Sequence, residues 1–389
     1  MSGIVLTASV RQNLLSLQST ADLLSTTQNR LATGNKVNSA LDNPTNFFTA
    51  QGLNNRASDI NNLLDSIGNG VQVLQAANTG ITSLQKLVDT AKSIANQVLQ
   101  APAGYSAKST VTSTAALPVG STAANLIDGV ALKANQTIIF AANGNLPALT
   151  VTLGASESLD QLNTALAAGN ITASLDSSNK LVFTTTNDYA SSTIGAVTVG
   201  STPGSATFGA AVAPVADAAS QTIRSSLVKQ YNDIITQIST TSQDSSFNGI
   251  NLLNGDNLKL TFNETGKSTL NVSGVTFNAA GLGLASLASG TDFLDNNSAN
   301  SVLTKLGTAS TTLRTEASAL GSNLSVVQIR QDFNKNLINV LQTGSSNLTL
   351  ADTNEEAANS QALSTRQSIA VSALALANQS QQSVLKLLQ

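Results

Sequence analysis

Apolar residues recur at alternating steps of four and three at both ends of the chain. Near the start, Val10, Leu14, Leu17, Ala21, Leu24, Gln28 and Leu31 lie on one such line, which is the a/d spacing of a coiled-coil seam. A second helical pattern runs over 45–99 through Ile60, Leu64, Ile67, Val71 and Leu74, and resumes at Ile81, Leu84, Val88, Ala91, Ala95 and Val98. A shorter helix is predicted over 219–241, with Ile223, Leu227, Tyr231, Ile234 and Ile238 on one face. Another, over 300–340, carries Val302, Leu306, Ala309, Leu313, Ala317, Leu320, Leu324 and Val327, then Phe333 and Leu337. The last helix mirrors the first. Leu363, Ala370, Ala377 and Val384 repeat every seven residues, with Leu374 and Leu388 on the companion line and Gln367 and Gln381 interrupting it. Thr353 and Glu356 have the spacing of a capping box at its start.

The helical pattern breaks at 30–44, RLATGNKVNSALDNP. Gly34 suits a helix C-terminal stop because it accepts positive φ without strain. Asn43 and Pro44 suit the N-cap and first turn of the next helix. A matching break is expected over Gly344–Thr353, and both joints are expected to be disordered in a free chain.

The middle of the chain follows a different period. Residues 137–141, 149–153, 171–175 and 181–186 are β-rich and bounded by Gly, Asn, Asp and Ser. Ser158 to Leu166 reads as one short helix between them. Residues 102–122 and 199–218 read as Ala/Ser/Thr/Gly/Pro-rich connectors. Five of the six prolines fall between Pro102 and Pro214, so the long helical stretches on either side are free of them. A separate hairpin is predicted from 258–263 and 268–277, turned by Glu264 to Lys267.

Composition narrows the chemistry. The 389 residues contain no Cys, no His and no Trp, with 3% aromatic and 11% charged residues. Without Cys there are no thiolate metal sites, disulfides or thiol nucleophiles. Without His the commonest general base and zinc ligand are gone. Net charge is −3 and no two Lys or Arg are adjacent, so no basic stripe points to nucleic acid. No apolar run approaches the ~18 residues of a membrane span. The first 25 residues lack the layout of a secretory signal, so export is expected to use a route without a cleaved signal.

Local motifs do not restore an active site. Gly266-Lys267-Ser268 is the tail of a phosphate loop, but the position that needs the first Gly is Thr261 and the context is a hairpin. Ser83 and Lys86 have the spacing of a serine acyl enzyme without its companion motifs. Glu355 and Glu356, the adjacent carboxylates, fit a helix N-terminus. No catalytic, cofactor or metal residue is assigned, and the chain is expected not to be an enzyme. In the insertion, only Phe140, Phe183, Tyr189 and Phe208 could offer stacking surfaces to a sugar.

Four stretches together resemble bacterial flagellin of the alphaproteobacterial type. RLATGNKVNSALDNPTNFFTAQGLNNR (30–56) is similar to the family's N-terminal signature, and IGNGVQVLQAANTGITSLQKLVDTA (67–91) to the helix after it. SSFNGINLLNG (245–255) resembles the family's turn motif, carried by Phe247, Asn248 and Gly249. The tail from Asp352, with ALANQSQQSVLKLLQ, resembles the C-terminal coiled-coil strand.

The resemblance implies a secreted structural subunit that polymerises into the flagellar filament for swimming motility, exported unfolded through the flagellar type III pathway. The implied fold is mainly α with a β-rich insertion. Residues 1–43 and 346–389 would form an inner coiled coil, 44–101 and 218–345 a helical-bundle middle domain with a β-hairpin, and 102–217 a small α+β outer domain. Inner-tube packing would fall to Val10, Leu14, Leu17, Leu24, Leu31, Leu363, Ala370, Leu374, Ala377, Val384 and Leu388. Middle-shell packing would fall to Ile60, Leu64, Ile67, Val71, Leu74, Leu313, Leu320, Leu324 and Val327, with Gly34, Asn43 and Pro44 as connector.

Implied partners are further copies of the chain, cap and hook-junction proteins, and an export chaperone, with no nucleic acid, membrane insertion or cofactor. A hook–filament junction protein and a carbohydrate-binding outer domain are the alternative readings. Two departures from the family pattern stand out. The insertion precedes the 219–241 helix and the Phe247 turn, so it is expected to hang from the end of the 57–99 helix. The segment Asp89–Ala95 lacks the arginine expected near Thr90, which implies weak sensing by the flagellin-recognising Toll-like receptor. Zinc-protease insertions known in the family need His, which is absent.

Overall fold

The computed structural model describes residues 8–200 and 205–387. Most of them are helical: α1 (Ala8–Thr33), α2 (Pro44–Gln100), α3 (Leu159–Leu166), α4 (Ala218–Asp244), α5 (Asn296–Thr349) and α6 (Thr353–Leu387). Small sheets occupy the middle of the sequence. The residues fall into two compact units, one taking the chain up to Gly70 with Lys259–Leu270 and Val326 onward, the other Val71–Leu258 with Asn271–Ser325.

In the first unit α1 packs along α6. The expected capping box at Thr353 does not form. Instead Asp352 accepts the N–H groups of Asn354 and Glu355, while Glu356 turns to Arg30 at 3.3 Å. A carboxylate one residue earlier reaches the free N–H groups with a shorter side chain, which leaves Glu356 for the ion pair. Both charges also suit their helix ends, a cation in the last turn of α1 and carboxylates in the first turn of α6.

The joint between α1 and α2 is a loop with specific hydrogen bonds. Gly34 has φ +69°, the left-handed turn that ends α1. The Lys36 N–H donates to the Thr349 carbonyl at 2.7 Å, and Ala351 N–H to Gly34 O at 2.9 Å. Val37 is buried. Asn43 Oδ1 accepts from Asn46 N–H at 3.0 Å, capping a helix whose first residue is Pro44. The expected break at Gly344 is also corrected, because α5 runs on to Thr349 and only 350–352 are non-helical. One helical glycine is affordable, and here Leu53 lies 3.5 Å from where a Cβ would sit. Ala57 and Ile60 of α2 cluster with Ile338 and Leu341 of α5.

The predicted hairpin forms from β9 (Leu258–Thr261) and β10 (Thr269–Val272). Its turn closes with Phe262 N–H on Ser268 O and with Gly266 at φ +70°. Asn334 of α5 donates to the Phe262 carbonyl at 3.0 Å, and Arg330 lies 5.9 Å over the Phe262 ring.

In the second unit the apolar stripe of α2 is buried at Leu74, Ile81, Leu84, Val88 and Val98, as is that of α5 at Val302, Leu306, Leu313 and Leu320. On α4 the expected face is buried at Leu227, Tyr231 and Ile238 and differs by one residue at its other two positions. Ile235 rather than Ile234 is buried, and Ile223 is exposed while its neighbour Arg224 is buried. After α4, Asn248 at φ 49° and Gly249 at φ 80° turn the chain back between Phe247 and Ile250. Asn251 then donates to the Ser242 and Gln243 carbonyls at 2.8 Å, filling acceptors that the end of α4 leaves open.

The insertion between α2 and α4 has its own core. Strands β3 (Thr137–Phe140), β4 (Leu149–Thr152), β5 (Ile171–Leu175) and β6 (Leu181–Thr185) lie where the alternating pattern predicts them. Four more arise in the supposed connectors or at their edge: β1 (Tyr105–Ala107), β2 (Thr110–Thr112), β7 (Val197–Val199) and β8 (Val215–Ala216). They assemble as two three-stranded antiparallel sheets, β2-β6-β5 and β4-β3-β7, and a two-stranded β1-β8 ribbon. Ser158 caps α3 with a full capping box to Gln161. Leu162 and Leu166 of α3 join Ile138, Phe140, Ile171, Leu181 and Phe183 in one buried cluster.

Candidate assembly surface

What α1 and α6 leave uncovered follows from which residues they use on each other. On α6 the less exposed positions are Glu356, Ser360, Leu363, Gln367, Ala370, Leu374 and Ala377, an unbroken four-three repeat. On α1 they are Val10, Asn13, Leu17, Thr20, Ala21, Leu24, Thr27 and Arg30. The line through Val10, Leu17 and Leu24 is therefore kept, but its strongest companions are Thr20 and Thr27. Thr20 can be buried because its hydroxyl donates to the Ser16 carbonyl at 2.8 Å, leaving the methyl to pack.

This register turns leucines outward. Leu15 and Leu23 are 66% and 51% exposed, and Leu14 and Leu31 are also on the surface. Ile369, Val371 and Leu376 are exposed on α6. A third outward stripe runs along the end of α5, where Ile329 is 68% and Val340 66% exposed, with Val326 and Phe333 beside them. Exposed apolar residues that recur along one helix face form a candidate interaction surface.

At the joint, the Asp42 carboxylate accepts the Ser39 and Asn38 N–H groups and the Ser39 hydroxyl. The bond from Ser39 N–H, then that from Asn38, holds its pKa below the usual carboxylate value, with Arg30 adding a smaller pull. Elsewhere, burial pushes the Tyr231 hydroxyl up to about 12 and raises the carboxyl of Glu316. Among the described residues no group of His, Cys, Asp and Glu could hold a metal ion, and no helix is long and apolar enough to cross a membrane.

Residues 5–116 match the bacterial flagellin N-terminal helical region, and residues 303–388 match the bacterial flagellin C-terminal helical region. The chain belongs to the bacterial flagellin family. Similar proteins include flagellins FljM and FljK of Caulobacter vibrioides, each 32% identical over 166 residues, or 41% of this chain and 58% of theirs. FljO of the same organism is 31% identical over the same span. The match thus covers less than two thirds of these relatives' length. Flagellins are structural, non-enzymatic proteins of the extracellular flagellar filament.

In this flagellin the residues expected to pack the inner tube do not share one environment. Val10 is buried, Leu17, Leu24, Leu363, Ala370, Leu374 and Ala377 are half-buried, and Leu14 and Leu31 face out. Leu388 and the side chain of Val384 lie outside the described residues. Of the expected middle-shell set, Ile60, Ile67, Val71, Leu74, Leu313, Leu320 and Val327 are buried, and Leu64 and Leu324 half-buried. The sugar-stacking idea for the insertion meets an obstacle, because Phe140 and Phe183 are fully buried edge-to-face at 4.9 Å and Phe208 leans on Phe183.

One residue that sequence reasoning missed is Arg224. Only 2% exposed, it donates to the Phe293 carbonyl at 3.0 Å and the Pro102 carbonyl at 3.2 Å. Burial lowers its pKa, opposed mainly by Asp295. An arginine at the edge of an apolar stripe gives no such signal in sequence.

Proposed function

We propose that this flagellin polymerises into a flagellar filament through the outward apolar faces of α1, α6 and the end of α5. Residues 1–43 and 346–389 form the inner coiled coil on this reading, and 44–101 with 218–345 the middle helical domain with its hairpin. Residues 102–217 form the outer domain, hung from the end of α2. Val10, Leu17, Leu24, Leu363, Ala370, Leu374 and Ala377 hold each pair of terminal helices together, while Leu14 and Leu31 serve contacts between copies. Gly34, Asn43 and Pro44 shape the joint between inner coil and middle domain.

The observation that carries this reading is the outward stripe of Ile329, Phe333 and Val340 on α5. The opposite face of the same helix is already satisfied by α2 at Ile338 and Leu341. A helix with two apolar faces needs a second neighbour, and in a self-polymerising family that neighbour is another copy. Cap and hook-junction proteins and an export chaperone are the further partners of this reading. Purified chain seeded with filament fragments should grow tubes of defined diameter by electron microscopy. Seeds that never elongate would contradict the proposal.

A further inference from the structure

We infer that Arg224 and Phe293 form a latch at the root of the insertion, holding residues 102–217 at a fixed attitude on α4 and the start of α5. Phe293 has φ +57° and is completely buried, with its ring edge-on to Tyr231 at 5.9 Å. A bulky side chain in the left-handed region is rare, and it persists only where its surroundings over-determine it.

Arg224 supplies that constraint. Its Nη1 grips the Phe293 carbonyl just before α5, and its Nε grips the Pro102 carbonyl where the chain enters the insertion. A guanidinium is planar and presents donors in a fixed fork, so one buried side chain sets the distance between the two strands. Burying a guanidinium is costly; the two carbonyls and the charge of the nearby buried Asp295 offset that cost, and a flexible tether would need no such group.

Further ties converge on the same place. The insertion leaves through β8, which pairs with β1, and the Gln221 amide and the Asp217 N–H both donate to the Gly104 carbonyl. A Cβ at Gly104 would lie 2.5 Å from that amide and 2.8 Å from the Leu294 carbonyl, so the chain passes with no room to spare. Two residues beyond Phe293, the buried Asp295 carboxylate accepts the Ser191 hydroxyl at 2.5 Å, and the Asn297 N–H donates to Asp188 O at 3.0 Å. The insertion is thereby a rigid extension of the helices beneath it, whatever its surface meets.

The full chain allows a clean test because it contains no cysteine. A fluorophore on Val119→Cys, a fully exposed position in the insertion, reports nanosecond motion by time-resolved anisotropy. The unaltered root should give a single slow decay. Arg224→Met, and independently Phe293→Gly, should add a nanosecond component and lower the residual anisotropy by about two-fold. Hydrogen exchange of Ala173 and Phe183 in the insertion core should stay unchanged. Arg224→Lys keeps the charge without the fork and should fall between. Unchanged anisotropy in both variants would overturn the latch. So would a fall that tracks loss of protection in the insertion core, since that would be plain unfolding.

Discussion

The insertion and the paired terminal helices solve the burial problem in opposite ways. Phe140, Phe183, Leu162 and Ile171 disappear from solvent within the stretch between α2 and α4, and each loses its hydration inside one chain. Along α1 and α6, half-buried leucines alternate with Thr20, Thr27, Ser360 and Gln367, while Leu15, Leu23, Ile369 and Leu376 face out. The insertion is finished as a single chain. On the reading proposed above, the termini are finished by copies.

The comparison can be broken most forcefully at its two extremes. Phe183→Ala should cost the insertion roughly 3–5 kcal/mol, the usual loss for a buried phenylalanine, seen as a lower chemical-denaturation midpoint. Assembly should survive. Leu23→Asp should do the reverse, changing free-chain stability by no more than about 0.5 kcal/mol, as exposed substitutions do, while seeded growth is lost. If Leu23→Asp destabilises the free chain as much as Phe183→Ala, the outward register of α1 is wrong.

The Arg30–Glu356 pair should matter less. Arg30 is over a third exposed, so Arg30→Ala should cost only about 1 kcal/mol after solvent screening, readable as a small drop in α1–α6 melting temperature. The smallest effect concerns Asp42. Its folded pKa is depressed by N–H donors, so its contribution is complete above the unfolded value near 3.8 and is lost as pH falls through the lower folded value. Asp42→Asn should therefore lower joint protection slightly at neutral pH and flatten the acid limb in a hydrogen-exchange pH series, so that the two chains converge at low pH.

Much of this contrast is legible in the sequence because it rests on periodicity. The long helices follow the four-three spacing of their leucines, and β3 to β6 follow alternation, since those signals come from the core side of each element. The register of the α1 seam is not legible. The line through Val10, Leu17 and Leu24 has a companion on either side, and hydropathy favours Leu14 over Thr20. The choice falls to Thr20 because a helical threonine can satisfy its hydroxyl locally.

Strands β1, β2, β7 and β8 escape for a different reason. They have two or three residues each and are defined by their partners rather than by their own composition. Arg224 escapes because its burial depends on carbonyls from Pro102 and Phe293, far away in sequence.

The central claim is that the faces left bare after the chain has packed on itself are the faces that bind other copies. The most direct measurement is seeded elongation of Ile329→Asp beside the unaltered chain, with free-chain melting curves recorded for both. Ile329 is 68% exposed and lies on the face of α5 away from α2. The account predicts superimposable melting curves and no elongation by the variant. Elongation at the unaltered rate would contradict it.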